Sequence, residues 1–352
     1  MKATFFQAIA LSIFALVYPV LCAGNQPLDP ADSNKGEIEQ SQAQQETVQS
    51  SVETTLETAA PTPEPVLISE NDASVPVLLQ DGDAVKNLTM DAYLVGVVAA
   101  EMPASFELEA LKAQAVAART YTLYCKQFCA DKHADADVCS DPACCKAYAD
   151  DSALRARWGT DYDAYIAKIK QAVAETDGEY LVYEGAPILA VFHSSSNGYT
   201  EDSGNVWETS LPYLQSVKSP ETSEEVPGYV TNVTVSLDDF KSTILNQYPE
   251  ATFEGEPANW IGAQVTDASG RLASVTIGTV ALSGTTLRSL FTLRSASIEI
   301  TANADSIVFT TTGYGHGVGM SQYGANTMAA QGQTYAEILQ WYYTGASIRT
   351  DA

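Results

Sequence analysis

The chain has 352 residues, 44 of them acidic and 18 basic, and a formal net charge of −26 at pH 7. Phosphate backbones are bound through basic patches, so this balance argues against nucleic acid as a partner. Without its first 76 residues the chain keeps roughly 275, enough for one large domain or two small ones with a sizeable core.

Residues 5–23 form an apolar run after Lys2, broken late by Pro19. The run reads as a signal peptide or as an N-terminal membrane anchor. Either way the protein is exported and extracytoplasmic, membrane-anchored or secreted. Residues 24–76 are polar, acidic and repetitive, with Pro61-Thr-Pro-Glu-Pro65 near their end. They cannot bury enough apolar surface to fold and should form a disordered acidic linker.

The folded part should occupy residues 77–346. Val77-Leu-Leu is a short strand, and Asp81-Gly82 a turn. Thr89 is placed to cap a helix that carries Tyr93, Leu94, Val97, Val98 and Ala100 up to Glu101. Pro103 disfavours helical angles at Met102, so the chain should break there. A second helix should start near Ser105, with Leu108, Leu111, Ala115 and Ala118 as its apolar stripe. Tyr162 to Glu175 has helical spacing of apolar residues and belongs to the core. The period then becomes two. Glu179–Tyr183, the turn Glu184-Gly185 and Pro187–Phe192 read as a hairpin. Several strands around one helix near Leu237–Gln247 read as an inserted, smaller β-rich subdomain at about 225–300. Ser321 should cap a helix ending at Gly332, and Thr334-x-x-Glu337 is a capping box opening the last one. The fold class is α+β: helices around Glu101 packed on an antiparallel-rich sheet.

Three features carry chemistry. Glu101 leaves an apolar helix at the break; burial there raises a carboxyl pKa, as a general acid near neutral pH requires. A solvated boundary glutamate is the plainer alternative. Second, two of the three histidines lie in loops rich in glycine and small polar residues: His193-Ser-Ser-Ser-Asn-Gly-Tyr-Thr200 and Gly313-Tyr-Gly-His316-Gly-Val-Gly-Met-Ser-Gln-Tyr-Gly-Ala325. Glycines there let the backbone approach a ligand. Serines beside His193 raise a serine hydrolase, but no G-x-S-x-G elbow is present. Third, Cys125, Cys129, Cys139, Cys144 and Cys145 follow Cys22, with His133 among them. An odd count cannot pair fully within an exported chain. A tetrahedral zinc site at His133, Cys139, Cys144 and Cys145 would resolve this; a disulfide framework is the other reading.

The stretch Val97-Val-Ala-Ala-Glu101-Met-Pro-Ala-Ser through Ala-Val-Ala-Ala-Arg119-Thr-Tyr121 closely resembles the central segment of the SpoIID/LytB family. Ser269-Gly-Arg271, Ser283-Gly-Thr-Thr-Leu-Arg288 and Leu293-Arg-Ser295 also look like that family, and the likeness covers roughly residues 77–346. The resemblance implies a peptidoglycan lytic transglycosylase, with Glu101 as the catalytic acid. It places His193, Ser195, Tyr199, His316, Gln322 and Tyr323 as substrate contacts. Asn197-Gly198 stands where the family usually has Gly-Gly. Sporulation members carry a His-x5-Cys-x4-His-Cys zinc site; here Cys144 replaces the second histidine, which zinc accepts equally well. Four protein ligands make that metal structural. The implied substrate is peptidoglycan glycan strands, preferably stripped of stem peptides. The implied partners are a sporulation cell-wall amidase and membrane proteins of an engulfment complex. LytB-like relatives modify an amidase, so a non-catalytic cell-wall-binding module is the alternative.

Overall fold

The structure is a computed structural model, and it describes residues 71–207 and 209–350. The expected leader at 1–23 and the expected linker as far as residue 70 lie outside the described residues. No helix among the described residues is long and apolar enough to cross a membrane.

Residues 71–76, expected as the end of the linker, are packed. Asp72–Ser74 form a 3-10 turn, and Asp72 is buried against Arg119. β1 (Pro76–Asp81) and β2 (Ala84–Thr89) make an antiparallel hairpin, Val77 opposite Leu88. α1 spans Met90–Glu101; Thr89 holds the cap position, though its side chain makes no capping bond. Tyr93, Leu94, Val97 and Val98 are wholly buried, so tertiary packing rather than the cap holds this helix. The break comes at Met102, whose φ of −125° and ψ of 138° are extended, as a residue before proline prefers.

α2 spans Leu108–Phe128 and begins later than the sequence suggests. Residues 103–106 are instead closed as a turn by the Phe106 amide on the Pro103 carbonyl at 3.0 Å. The small residues Ala113, Ala115, Ala117 and Ala118 are buried and let neighbours approach α2 closely. Among those neighbours are α1, β4 (Glu179–Tyr183) and the helix at Tyr162–Ala174. β3 (Val138–Cys139) adds to β1 in parallel. α3 (Asp151–Trp158) has one buried residue, Leu154, and is started by the Asp150 side chain accepting from the Ala153 amide. α4 is Tyr162–Ala174.

The hairpin after β4 is shorter than expected. β5 is Ala186–Pro187 only, and β6 (Phe192–His193) pairs elsewhere. Between them the chain is buried but curled, with the Ala190 and Val191 amides bonding two residues back. An apolar run fits such a buried irregular path as well as a strand. α5 is the short Ser203–Trp207.

A second core follows, with Phe240, Ile244, Val275, Ile277, Leu287, Ile300 and Phe309 in it. It lies among β7 (Val230–Ser236), α6 (Leu237–Gln247), β8 (Ile261–Thr266), β9 (Leu272–Ile277), β10 (Val280–Leu282), α7 (Gly284–Leu290), β11 (Ile298–Ala302) and β12 (Ser306–Thr312). Its sheets, β11-β12-β7 and β10-β9-β8, are antiparallel. This part therefore continues through β12, past residue 300.

The chain then returns to the first core. β13 (Met320–Ser321) pairs in parallel with β6, Ser321 opposite His193. α8 (Gln322–Ala330) is capped by Ser321, and α9 (Tyr335–Tyr342) by the complete Thr334–Glu337 box. β14 (Ser347–Thr350) pairs with β4, so the packed chain runs beyond residue 346. The fold is α+β.

Candidate active site and metal centre

Glu101 ends α1 beneath the segment that follows Cys145. The Ala147 amide donates to Glu101 Oε1 at 2.7 Å. Burial pushes the Glu101 carboxyl above its ordinary range; the Lys146 ammonium and the Ala147 amide act against that rise. Lys146 is itself buried, its Nζ 3.7 Å from the Phe192 ring centroid and 4.3 Å from that of Tyr121. Burial pulls its ammonium down to about 8, with Glu101 opposing the fall. Gly96 makes this approach possible: a Cβ there would stand 2.3 Å from Tyr148 and 2.8 Å from the Ala149 carbonyl oxygen.

The two histidine loops are held face to face. Ser195 and Tyr314 exchange backbone hydrogen bonds at 3.1 and 2.8 Å. The His193 and His316 rings are 5.8 Å apart, and Trp207 lies 5.3 Å from His316. His193 Nδ1 donates to the Val318 carbonyl at 3.2 Å, while its buried Nε2 has no partner among the described residues. His316 Nδ1 accepts from the Val318 amide at 3.1 Å. Burial lowers His193 well below its ordinary pKa, and lowers His316 to about 3 with help from Lys146. Both imidazoles are therefore neutral at pH 7, and Lys146 acts on both Glu101 and His316.

The remaining expected contacts divide. Ser195 is buried, with its hydroxyl unpartnered among the described residues. Tyr323 packs edge-on against Phe106, at 4.9 Å, in the turn after Glu101. Gln322 is buried, its Nε2 3.4 Å from Gln114 Oε1 on α2. Tyr199 is exposed, and its carbonyl accepts from Arg271. Among the described residues no serine hydroxyl bonds either imidazole, which removes the geometric basis for a serine hydrolase.

Several residues that organise the site were not among the expected site residues. Glu221 Oε1 accepts from the Ser196 amide and hydroxyl and from Ser321, at 2.7, 2.8 and 2.6 Å, and so ties the two loops together. Arg271 Nη1 lies 3.7 Å from Glu201 Oε2. Gly317 passes so close above Arg271 that a Cβ would sit 2.3 Å from Nη2. Lys146 could have been suspected only as the residue after the last cysteine.

The cysteine cluster lies one residue upstream of Lys146. The ligand atoms of His133, Cys139, Cys144 and Cys145 all lie within 4.8 Å of one another, with His133 Nε2 3.3 Å from Cys145 Sγ. Tetrahedral bonds of about 2.0–2.3 Å separate ligand atoms by roughly 3.3–3.8 Å, so the set can close on a metal ion with small movements. Cys139 comes from β3, and Asp141 turns the chain by accepting the Cys144 and Cys145 amides on its carbonyl. All five described cysteines are free thiols, which corrects the disulfide alternative. Hydrogen bonds from Cys125, Cys139 and Cys144 hold the Cys145 thiol far below its ordinary range.

A family model described as SpoIID, Stage II sporulation protein, matches residues 80–183, the span that holds both Glu101 and the cysteine cluster. Stage II sporulation protein D of Bacillus amyloliquefaciens is 40% identical over 287 residues, covering 81% of this chain and 81% of that protein. The chain belongs to the SpoIID family. Its Bacillus subtilis (strain 168) member, also named Stage II sporulation protein D, is 38% identical over 285 residues, 80% of each chain. A further relative of this SpoIID chain is the Amidase enhancer of Bacillus subtilis (strain 168), 30% identical over 305 residues, 72% of this chain and 40% of that protein. The two histidine loops lie outside the span matched by the SpoIID model.

Proposed function

We propose that this protein is a peptidoglycan lytic transglycosylase that cleaves the bond between N-acetylmuramic acid and N-acetylglucosamine. The observation that carries this reading is the half-buried Glu101 carboxyl held by the Ala147 amide beside the Lys146 ammonium, with desolvation raising its pKa. A raised pKa keeps the carboxyl protonated to higher pH, ready to protonate the leaving glycosidic oxygen. Ala147 occupies Oε1, which leaves Oε2 to deliver the proton. The carboxylate that results faces an ammonium and an amide already in place, so little reorganisation is needed. It then takes the proton of the sugar's C6 hydroxyl as the anhydro ring closes. One carboxyl serves both steps. Glu107 is exposed and Glu201 is bound by Ser269, Asn205 and Arg271, so neither is offered as a second acid.

The metal is proposed to be zinc, since three thiols and an imidazole suit it and four protein ligands leave no open position. Its role is structural: His133, Cys139, Cys144 and Cys145 would fix the loop that delivers Lys146 and Ala147. The names of the relatives favour a sporulation setting and a link to an amidase; glycan strands outside the cytoplasm as substrate follow from the proposed reaction. We place the protein there, anchored or secreted. The likeness to an amidase enhancer favours a second reading, a wall-binding module that acts through an amidase.

Glu101→Gln keeps the shape of the side chain but can neither carry charge nor give up a proton. It should fold and lose about 10²–10⁴-fold in cleavage of stripped glycan strands. Mass spectrometry of wild-type products should show 1,6-anhydro ends. Uptake of ¹⁸O from labelled water would instead make the enzyme a hydrolase. Strand binding by both proteins with cleavage by neither would leave the wall-binding module.

A further inference from the structure

The joint between the two cores holds a cavity that the chemistry above does not use. Its volume is about 140 Å³. Glu201 and, from α5, Asn205 and Val206 line one side; Asp267 and Arg271 of the β8–β9 turn and Leu272 of β9 line the other. The cavity adjoins the histidine loops. The Glu201 amide donates to the Gly317 carbonyl at 2.8 Å, Arg271 lies under Gly317, and α5 ends in Trp207, the ring beside His316. Its size narrows the occupant. One water takes about 30 Å³ of the liquid, and pockets for whole small molecules run to roughly 300–1,000 Å³. A space between these limits suits a single substituent projecting from a larger molecule.

The charges of the lining narrow it further. Glu201 and Arg271 are 2% and 4% exposed, and Asp267 stands beside them. A free anion would meet two carboxyl groups, and a free cation would meet the guanidinium. Glu201 is fully engaged: Oε1 accepts from the Asp202 amide and Asn205 Nδ2, and Oε2 from Ser269 Oγ. Asp267 and Arg271 are not. Asp267 Oδ1 takes the Ser269 and Arg271 amides, each at 2.9 Å, while no donor among the described residues reaches Oδ2. Arg271 makes its hydrogen bonds through Nη1, and its buried Nε has no acceptor among the described residues. A spare acceptor and a spare donor beside the apolar Val206, Leu272 and Ala296 match a neutral secondary amide that carries a methyl group.

We propose that this cavity is a subsite for the acetamido group of an N-acetylated amino sugar, with Asp267 accepting its N–H, Arg271 donating to its carbonyl and the apolar wall receiving its methyl. The proposal rests on the reading of the protein as one that acts on peptidoglycan strands, whose sugars both carry that group. It makes N-acetylation a requirement for tight binding, because a free amine offers neither the carbonyl nor the methyl and brings a charge to the guanidinium. A peptide bond beside an alanine has the same amide and methyl, so the test must separate sugar from stem peptide.

The test is binding, followed through the methyl NMR signals of Val206 and Leu272 in the full chain carrying Glu101→Gln, so that strands survive. Soluble stripped glycan fragments are titrated in three forms: native, de-N-acetylated to the free amines, and acetylated again. Hydrogen bonds to two charged groups predict that the native and re-acetylated forms shift both methyls and bind at least about ten-fold tighter than the amine form. Ala273 stands on the exposed rim, so Ala273→Leu should fill the cavity without disturbing either core. It should bring the native form down to the affinity of the amine form and leave the amine form unchanged. Equal binding of native and amine forms to the parent protein overturns the proposal, and that comparison requires no rim variant. Tighter binding of the amine form overturns it too and makes the cavity an ammonium site. Methyls that shift with a free stem peptide and not with the strand, or with neither, also overturn it. Cleavage by the wild type is scored separately. Dependence of binding on N-acetylation without any cleavage rejects the transglycosylase and keeps the subsite, whereas cleavage without that dependence does the reverse.

Discussion

Lys146 and Glu101 oppose each other's shifts. Burial raises the acid and lowers the base, and each charge favours the ionised form of the other. A general acid works protonated, so the rate should fall as pH rises through the raised pKa of Glu101. Both histidines are depressed to neutrality and should add no limb near pH 7. Lys146→Met removes the charge that holds Glu101 down. Its alkaline limb in kcat/KM should therefore move up by about one pH unit. A limb that stays in place would show that Lys146 does not act on the acid. At this scale the sequence was readable where neighbours in the chain carry the information. Glu101 announces itself by the apolar helix before it and the proline after it, and the metal ligands by their spacing. Lys146 and Glu221 do not, because their partners are distant in sequence and leave no local pattern; Arg271 stands in a family-like motif that carries no hint of its partners.

Among the elements, the segment from His133 to Ala149 has only the two-residue β3 as regular structure, although Val138, Cys139, Cys145 and Ala149 are buried. Two residues of β3, the Asp141 turn and the cysteine cluster fix it, and its far end lies on α1 through the Ala149 amide and the Gly96 carbonyl. About one zinc per chain should be found by metal analysis, and a strong chelator should release protection from hydrogen exchange at 125–150. Absence of zinc, with all exchange rates unchanged by chelator, would leave the cluster as a set of buried thiols. Helices with sequence-coded ends were legible: α6, α8 and α9 start where Ser236, Ser321 and Thr334 cap them. α3 was not, because a helix with one buried residue shows almost no apolar period. The run after Pro187 misled because burial and strand pairing give the same apolar signature, and only the distant β13 claims Phe192 and His193.

At the scale of the molecule, the N-terminal edge of the packed chain is part of its foundation. Asp72 takes Arg119 Nε at 2.9 Å and is in turn held by Asp177, while Arg119 also donates to the Glu179 carbonyl. A chain starting at Val75 loses Asp72 and strands a guanidinium that is 1% exposed. It should lose about 3–5 kcal/mol of stability. A chain starting at Glu70 keeps the pair and should match the full-length protein in urea unfolding and in activity. Equal midpoints for the two truncations would show that Arg119 finds another partner. The acid composition of residues 24–76 concealed this boundary, since one buried aspartate looks like any other acid in a linker.

The pairing of β6 with β13 also fixes an order in time. Glu101 emerges early in synthesis, but β6, which carries His193, is paired only by Met320 and Ser321 of β13, near the other end of the chain. Everything from β7 to β12 must be made before those residues exist, and a chain made from its N-terminus folds in that order. A nascent or clipped protein therefore carries its acid without the completed pair of histidine loops. The proposed competence to cut arrives all at once, with the last few dozen residues. For the proposed cutter of load-bearing strands, such lateness would be a safeguard that needs no inhibitor.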